Sequence, residues 1–195
     1  MLRVAQFLAC AVLVVPPFVP TAMAQGKNPQ PTPTLKVGDV LPPLKGDFLT
    51  GRDAQLPDAA KGKVALAMLG FTYDSRHAVE AWGEWFRQAF GPREDVTFFE
   101  VPMIGGFGKL GRWFIDSGMR KGTPKALHEN VITVYSGVGD WKRRVGFHDA
   151  AEHDAYLILL DRDGVIRWLV HSPFDAARAA ELREAAAALA SPTTF

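Results

Sequence analysis

Two short stretches hold most of the residues whose types and spacing could do chemistry. The first, Phe71-Thr72-Tyr73-Asp74-Ser75-Arg76-His77, joins a nearly continuous apolar run to an amphipathic one. If a helix starts here, its free N–H groups and dipole favour an anion, which makes Thr72, Tyr73, Asp74, Ser75, Arg76 and His77 a candidate binding loop. A helix cap is the simpler reading, with Asp74 or Ser75 accepting from the first free amides for a gain of ~1 kcal/mol. The second stretch, His148-Asp149-Ala150-Ala151-Glu152-His153-Asp154, concentrates imidazoles and carboxylates, so His148 and His153 are candidate metal ligands. It offers no thiolate, the soft ligand that selects Cu(I), and a solvated loop is the competing reading.

Three further features carry less. Trp141-Lys142-Arg143-Arg144 sets an aromatic beside three cations in a segment expected to be loop; Trp141 and Arg143 are candidates for contact with an acidic partner or with lipid headgroups. A solvated basic turn explains the same residues. Tyr135-Ser136-Gly137 lacks the Gly-x-Ser-x-Gly elbow that a serine hydrolase needs. Trp82, Trp113 and Trp168 are expected in the core by their spacing, whereas Trp85 falls off the apolar stripe and is a candidate contact residue.

The elements that must position these residues follow from periodicity. Gly46 to Gly51 reads as a strand and turn leading to a second short strand near Gln55-Leu56, an N-terminal hairpin. Lys63 to Phe71 is the pattern of a central strand buried on both faces. From Ser75 to Phe90, Val79, Trp82, Phe86 and Phe90 recur at intervals of three and four, an amphipathic helix. Val96 to Val101 predicts a second buried strand, and Lys109 to Lys121 a second helix with Leu110, Trp113, Phe114 and Met119 in helical spacing. Ala155–Leu160, the turn Asp161-Arg162-Asp163-Gly164 and Val165–Val170 form a strong hairpin signal, followed by an alanine-rich helix over 175–189 with Leu182 and Leu189 inward.

The ends of the chain read differently. Residues 1–24 have the basic start, apolar run and Thr21-Ala22-Met23-Ala24 ending of a secretory signal, with cleavage expected after Ala24. Pro16, Pro17 and Pro20 interrupt the run short of the ~20 residues that a membrane span requires. Leu8-Ala9-Cys10 resembles a lipoprotein signal, but the apolar run continues past Cys10, and lipidation there is not the expected outcome. Residues 25–34 form a proline-rich linker, 35–190 one domain, and 191–195 a tail. Cys10 is the only cysteine in 195 residues, so the expected mature protein has none. With Arg3 removed, 21 basic residues balance 21 acidic ones, which gives no electrostatic reason to expect nucleic acid or anionic lipid as partners.

The order βαβα, β-hairpin, α, with an early hairpin, is similar to the thioredoxin-like superfamily in its redoxin and peroxiredoxin-like branches. Gly38-Asp39-Val40-Leu41-Pro42, Lys61-Gly62-Lys63-Val64 and the hairpin from Tyr156 to Trp168 resemble that superfamily's motifs and span most of residues 36–190. The ending Ile166-Arg167-Trp168, with Trp82, Trp85 and Phe86, most resembles the cysteine-free branch of mitochondrial assembly factors for the membrane sector of ATP synthase. The resemblance implies an α/β fold with a central mixed sheet flanked by helices and an N-terminal hairpin extension.

Redox members of the superfamily place a reactive cysteine between the first central strand and its helix. This chain has Thr72 to His77 there, and Ser75 cannot replace a thiol in electron transfer. They also place a cis-proline before the late hairpin, where this chain has Glu152-His153-Asp154-Ala155. The expected function is therefore a non-catalytic, periplasmic or secreted binding or assembly protein. It would have no cofactor and no thiol activity, and would act on a protein partner in a membrane or periplasmic complex, with peripheral membrane contact open. The alternative is a metal carrier or non-thiol enzyme using His148 and His153 or the 73–77 loop.

Overall fold

The structure, a computed structural model, describes residues 31–190 except 92, 107 and 108. The expected signal segment with Cys10, most of the linker and the 191–195 tail lie outside the described residues. No helix among those residues is long and apolar enough to cross a membrane.

Two strands form the centre. β3 (Val64–Gly70) and β6 (Ala155–Leu160) are buried at every position and pair antiparallel. Side chains alternate along a strand, so a strand apolar at every residue presents two apolar faces, and both must be covered. Val64, Leu66, Met68, Ala155, Leu157 and Leu159 enter one core with Trp82 and Phe86 of α1 (Arg76–Phe90) and Leu182 of α4 (Ala176–Ala190). Ala65, Ala67, Leu69, Tyr156, Ile158 and Leu160 enter a second core. There they meet the hairpin of β1 (Leu44–Phe48) and β2 (Asp53–Leu56) and the short helix α3 (Val138–Val145).

β4 (Val96–Pro102) runs parallel to β3, as a strand–helix–strand crossover through α1 requires, and β7 (Ile166–Ser172) closes the sheet in the order β4-β3-β6-β7. A smaller sheet, β2-β1-β5, forms where β1 pairs antiparallel with β5 (Ile132–Thr133), a strand the sequence did not announce. Isolated parallel bridges from Glu100 to Val131 and from Met103 to Val134 tie that segment to β4. The β6–β7 turn is fixed by the Asp161 carboxylate, which accepts from the backbone N–H groups of Asp163 (3.0 Å) and Val165 (2.9 Å) and from Arg167 Nε (2.7 Å). Before the hairpin, the amides of Thr34 and Leu35 donate to the Arg144 carbonyl at 3.0 and 3.1 Å, so the chain already docks on α3 there.

Three expectations change. Trp141 and Arg143 lie in α3 and not in a loop; Trp141 is only 6% exposed because its ring fills the core beneath the helix. Trp113, expected inside, is 63% exposed on α2 (Lys109–Gly122). Trp85 is half-buried, its ring edge-on to Trp82 at 5.7 Å with the Arg183 guanidinium 5.7 Å above it. That stacking draws an off-stripe residue partly inward.

The hairpin packs so closely on β5 that a Cβ at Gly46 would stand 2.5 Å from the Thr133 carbonyl oxygen and 2.8 Å from Ile132 Cγ2. Gly46→Ala is expected to cost about 1–3 kcal/mol in urea unfolding, the usual penalty of overpacking. A variant as stable as the wild type would mean that β1 and β5 separate without loss.

Candidate functional site

The loop between β3 and α1 is closed by a local knot. Ser75 Oγ donates to the Thr72 carbonyl at 2.7 Å and accepts from the Thr72 amide at 3.2 Å, while the Ser75 amide donates to Thr72 Oγ1 at 3.1 Å. Ser75 is fully buried with helical dihedrals, and its side chain makes no cap bond to α1. The capping role read from the sequence is replaced by this turn, because a hydroxyl directed back to Thr72 cannot reach forward into the helix. Thr72 Oγ1 also donates to the Glu152 carbonyl at 2.9 Å and stands 3.3 Å from His153 Nδ1, so the 152–154 segment does face the 72–75 loop.

Beside the knot opens a cleft of about 900 Å³, between the N-terminal turns of α1, the end of β4 and α2. Thr72, Tyr73, Ser75 and Arg76 line it; Asp74 and His77 are exposed and outside its lining. Tyr73 is 74% exposed, with the Arg76 guanidinium 4.2 Å over its ring. The remaining candidates do not converge here. Trp85 packs toward Phe174 near the start of α4, Trp141 is buried under α3, and Arg143 pairs with Asp140 one turn away.

The imidazoles also separate. His148 stacks edge-on to His171 at 5.1 Å, its Nε2 buried without a hydrogen bond, while His171 Nδ1 meets Asp154 Oδ2 at 2.8 Å. His153 lies beside Glu152, 3.6 Å from its carboxylate. Among the described residues no group of three or more His, Cys, Asp or Glu is placed to hold a metal ion.

α2 builds the outer wall in an unusual way. Its polar residues Arg112, Asp116 and Arg120, four apart and so on one face, are the ones that grip the body. The Tyr135 hydroxyl donates to Asp116 Oδ1 at 2.6 Å, the Arg112 guanidinium lies 4.7 Å over the Tyr135 ring, and Arg120 Nε donates to the Leu49 carbonyl at 2.6 Å. Apolar side chains are left over: Phe114, Ile115 and Met119 line the cleft, and Phe114 is 73% exposed.

One residue of the cleft was missed by sequence reasoning. Glu100 sits in β4 between buried neighbours, half-buried, with no hydrogen bond or ion pair to its carboxylate among the described residues. Burial, reinforced by Glu80, pushes its carboxyl up to about 7. A lone acid inside the run Val96-Thr97-Phe98-Phe99-Glu100-Val101 was the available signal. Because the folded state holds this proton more tightly than the unfolded chain, stability falls as pH rises from about 4.5 through about 7. Glu100→Gln is expected to match the wild type near pH 4 and to exceed it by roughly 2–3 kcal/mol at pH 8 in urea unfolding. Parallel stability profiles for the two proteins would show that Glu100 ionises freely.

No protein-family model matches the chain, and no curated protein sequence does. Solved structures do resemble it. A protein from Chlorobium tepidum named for thiol:disulfide interchange, DsbE, matches with a TM-score of 0.54 and 18% identity, over 80% of this chain and 99% of that one. The exposed lipoprotein thioredoxin Etrx1 from Streptococcus pneumoniae gives 0.51 and 13%, over 73% and 98%. A peroxiredoxin-like protein from Aquifex aeolicus gives 0.50 and 16%, over 80% and 90%. At such identities the similarity bears on the fold alone, and with the sheet order and helix placement above, the chain has a thioredoxin-like fold of the α/β class.

Proposed function

We propose that the chain is a non-enzymatic binding or assembly protein that holds a segment of another polypeptide in the cleft between α1 and α2. One contrast carries this reading. The start of α1, where a reactive thiol would stand, is closed by the Thr72–Ser75 knot around the buried Ser75 and has no cysteine. Next to it an apolar cleft of about 900 Å³ stays open. Thiolate attack requires a cysteine, and a serine hydroxyl tied to a carbonyl offers no substitute. The neighbours named for thiol–disulfide exchange share the frame, but function rests on the site and not on the frame.

The resemblance of Ile166-Arg167-Trp168 and the α1 aromatics to cysteine-free assembly factors supports a client belonging to a membrane-associated or exported complex. The metal-carrier or non-thiol-enzyme alternative draws no support from His148 and His153, which are engaged with different neighbours. Tyr73 and Phe114, exposed at the cleft, are better placed to touch a client than Trp141.

Photo-crosslinking probes at positions 73 and 114 in living source cells are expected to capture the same protein, and a probe at the exposed Glu184 on α4 is not. Phe114→Ala is expected to lower capture from position 73 several-fold, while stability changes by no more than about 0.5 kcal/mol, as for other exposed side chains. Capture of unrelated proteins from the two positions, or none above the Glu184 control, would refute the reading.

A further inference from the structure

The walls of the cleft are largely apolar, and among the described residues its lining carries two carboxylates against one cation. Glu100 and Glu80 both line it. α1 crosses Glu100 at Gly83, where a Cβ would stand 2.6 Å from Glu100 Oε1, so at that point the helix offers only backbone to the carboxylate. The one basic side chain in the lining among the described residues, Arg76, lies over the Tyr73 ring and forms no ion pair with either carboxylate. α2 contributes Phe114, Ile115, Gly118, Met119 and Gly122 to the wall, none of them charged. A half-buried carboxylate with no counter-charge among the described residues is costly to ionise, and a cation brought in by an occupant would remove that cost.

We propose that the segment taken into this cleft is apolar and carries one basic residue, lysine or arginine, whose cation is received between Glu100 and Glu80. The inference rests on the polypeptide-binding reading above and names the chemistry of the client at that site. A lysine or arginine suits it because its methylene stem packs along apolar surface while its head reaches a polar group. Here the stem would lie against Phe114 and Met119, and the head would reach Glu100. An acidic segment would meet like charge and be rejected.

The test uses the purified full chain and two dye-labelled heptapeptides of leucine and alanine with blocked ends, one with a central lysine and one with a central norleucine. Fluorescence anisotropy at pH 8 is expected to show the lysine peptide binding roughly tenfold more tightly than the norleucine peptide, in the range measured for charge pairs that lose part of their water. Glu100→Gln is expected to reduce that ratio to less than about twofold. Equal binding of the two peptides by the wild type would overturn the charge selection and leave the cleft reading standing. A lysine preference that survives in Glu100→Gln and in the variant that also carries Glu80→Gln would overturn it too, by placing the preference elsewhere. Binding of neither peptide, at concentrations where probes at positions 73 and 114 also capture nothing, would overturn both.

Discussion

The complete burial of β3 and β6 is the constraint on which the other elements depend. Two adjacent strands with apolar side chains on both faces cannot border water on either side. α1 and α4 therefore cover one face, and the β1–β2 hairpin with α3 covers the other. α4 covers its share with small residues, Ala179, Ala186 and Ala190 around Leu182, which let the helix approach the sheet closely. On the opposite face the hairpin fits only because Gly46 leaves room for the Thr133 carbonyl.

Among the described residues, none of α2 belongs to either of these cores. It attaches instead through Arg112, Asp116 and Arg120, which turns its apolar side chains toward the gap beside α1. The cleft is thus a consequence of the packing: a helix held by polar contacts, standing off from a strand end, with the turn at Thr72–Ser75 between them. It falls at the C-terminal ends of the parallel strands β3 and β4, where α/β sheets characteristically place their ligands. Glu100 shows the same economy. It occupies a β4 position that ordinary packing would give to an apolar residue, and its carboxyl is pushed up to about 7 as a result.

Shared architecture and this chain's own residues meet at one turn. The structural neighbours include proteins named for thiol–disulfide exchange, and this chain keeps the strand–turn–helix frame that they share. In place of a thiol at the helix start there is a buried serine whose hydroxyl is spent on its own turn. Beside that turn the cleft lining combines apolar side chains with the Glu80 and Glu100 carboxylates, the Arg76 guanidinium and the Tyr73 ring.

The sequence by itself determined the central strands, α1, the late hairpin and α4, because a continuous apolar run, a three-and-four spacing and an acidic turn ending in glycine each record burial along one local element. It also determined that no thiol stands at the start of α1, a matter of residue identity alone. Only the tertiary structure decided which polar positions face inward. Trp141 reads as loop in the chain and is core in the fold, because the helix that buries it is only eight residues long and rich in cations. Trp113 and Phe114 fit a helical stripe, yet they are exposed, because α2 is held by its charged face. Glu100 gains its character from Gly83 on α1 and from Glu80, and Thr72 meets His153 across 81 residues of chain. Such relations depend on which surfaces meet, and periodicity along a chain records only that a surface is buried, not what lies against it.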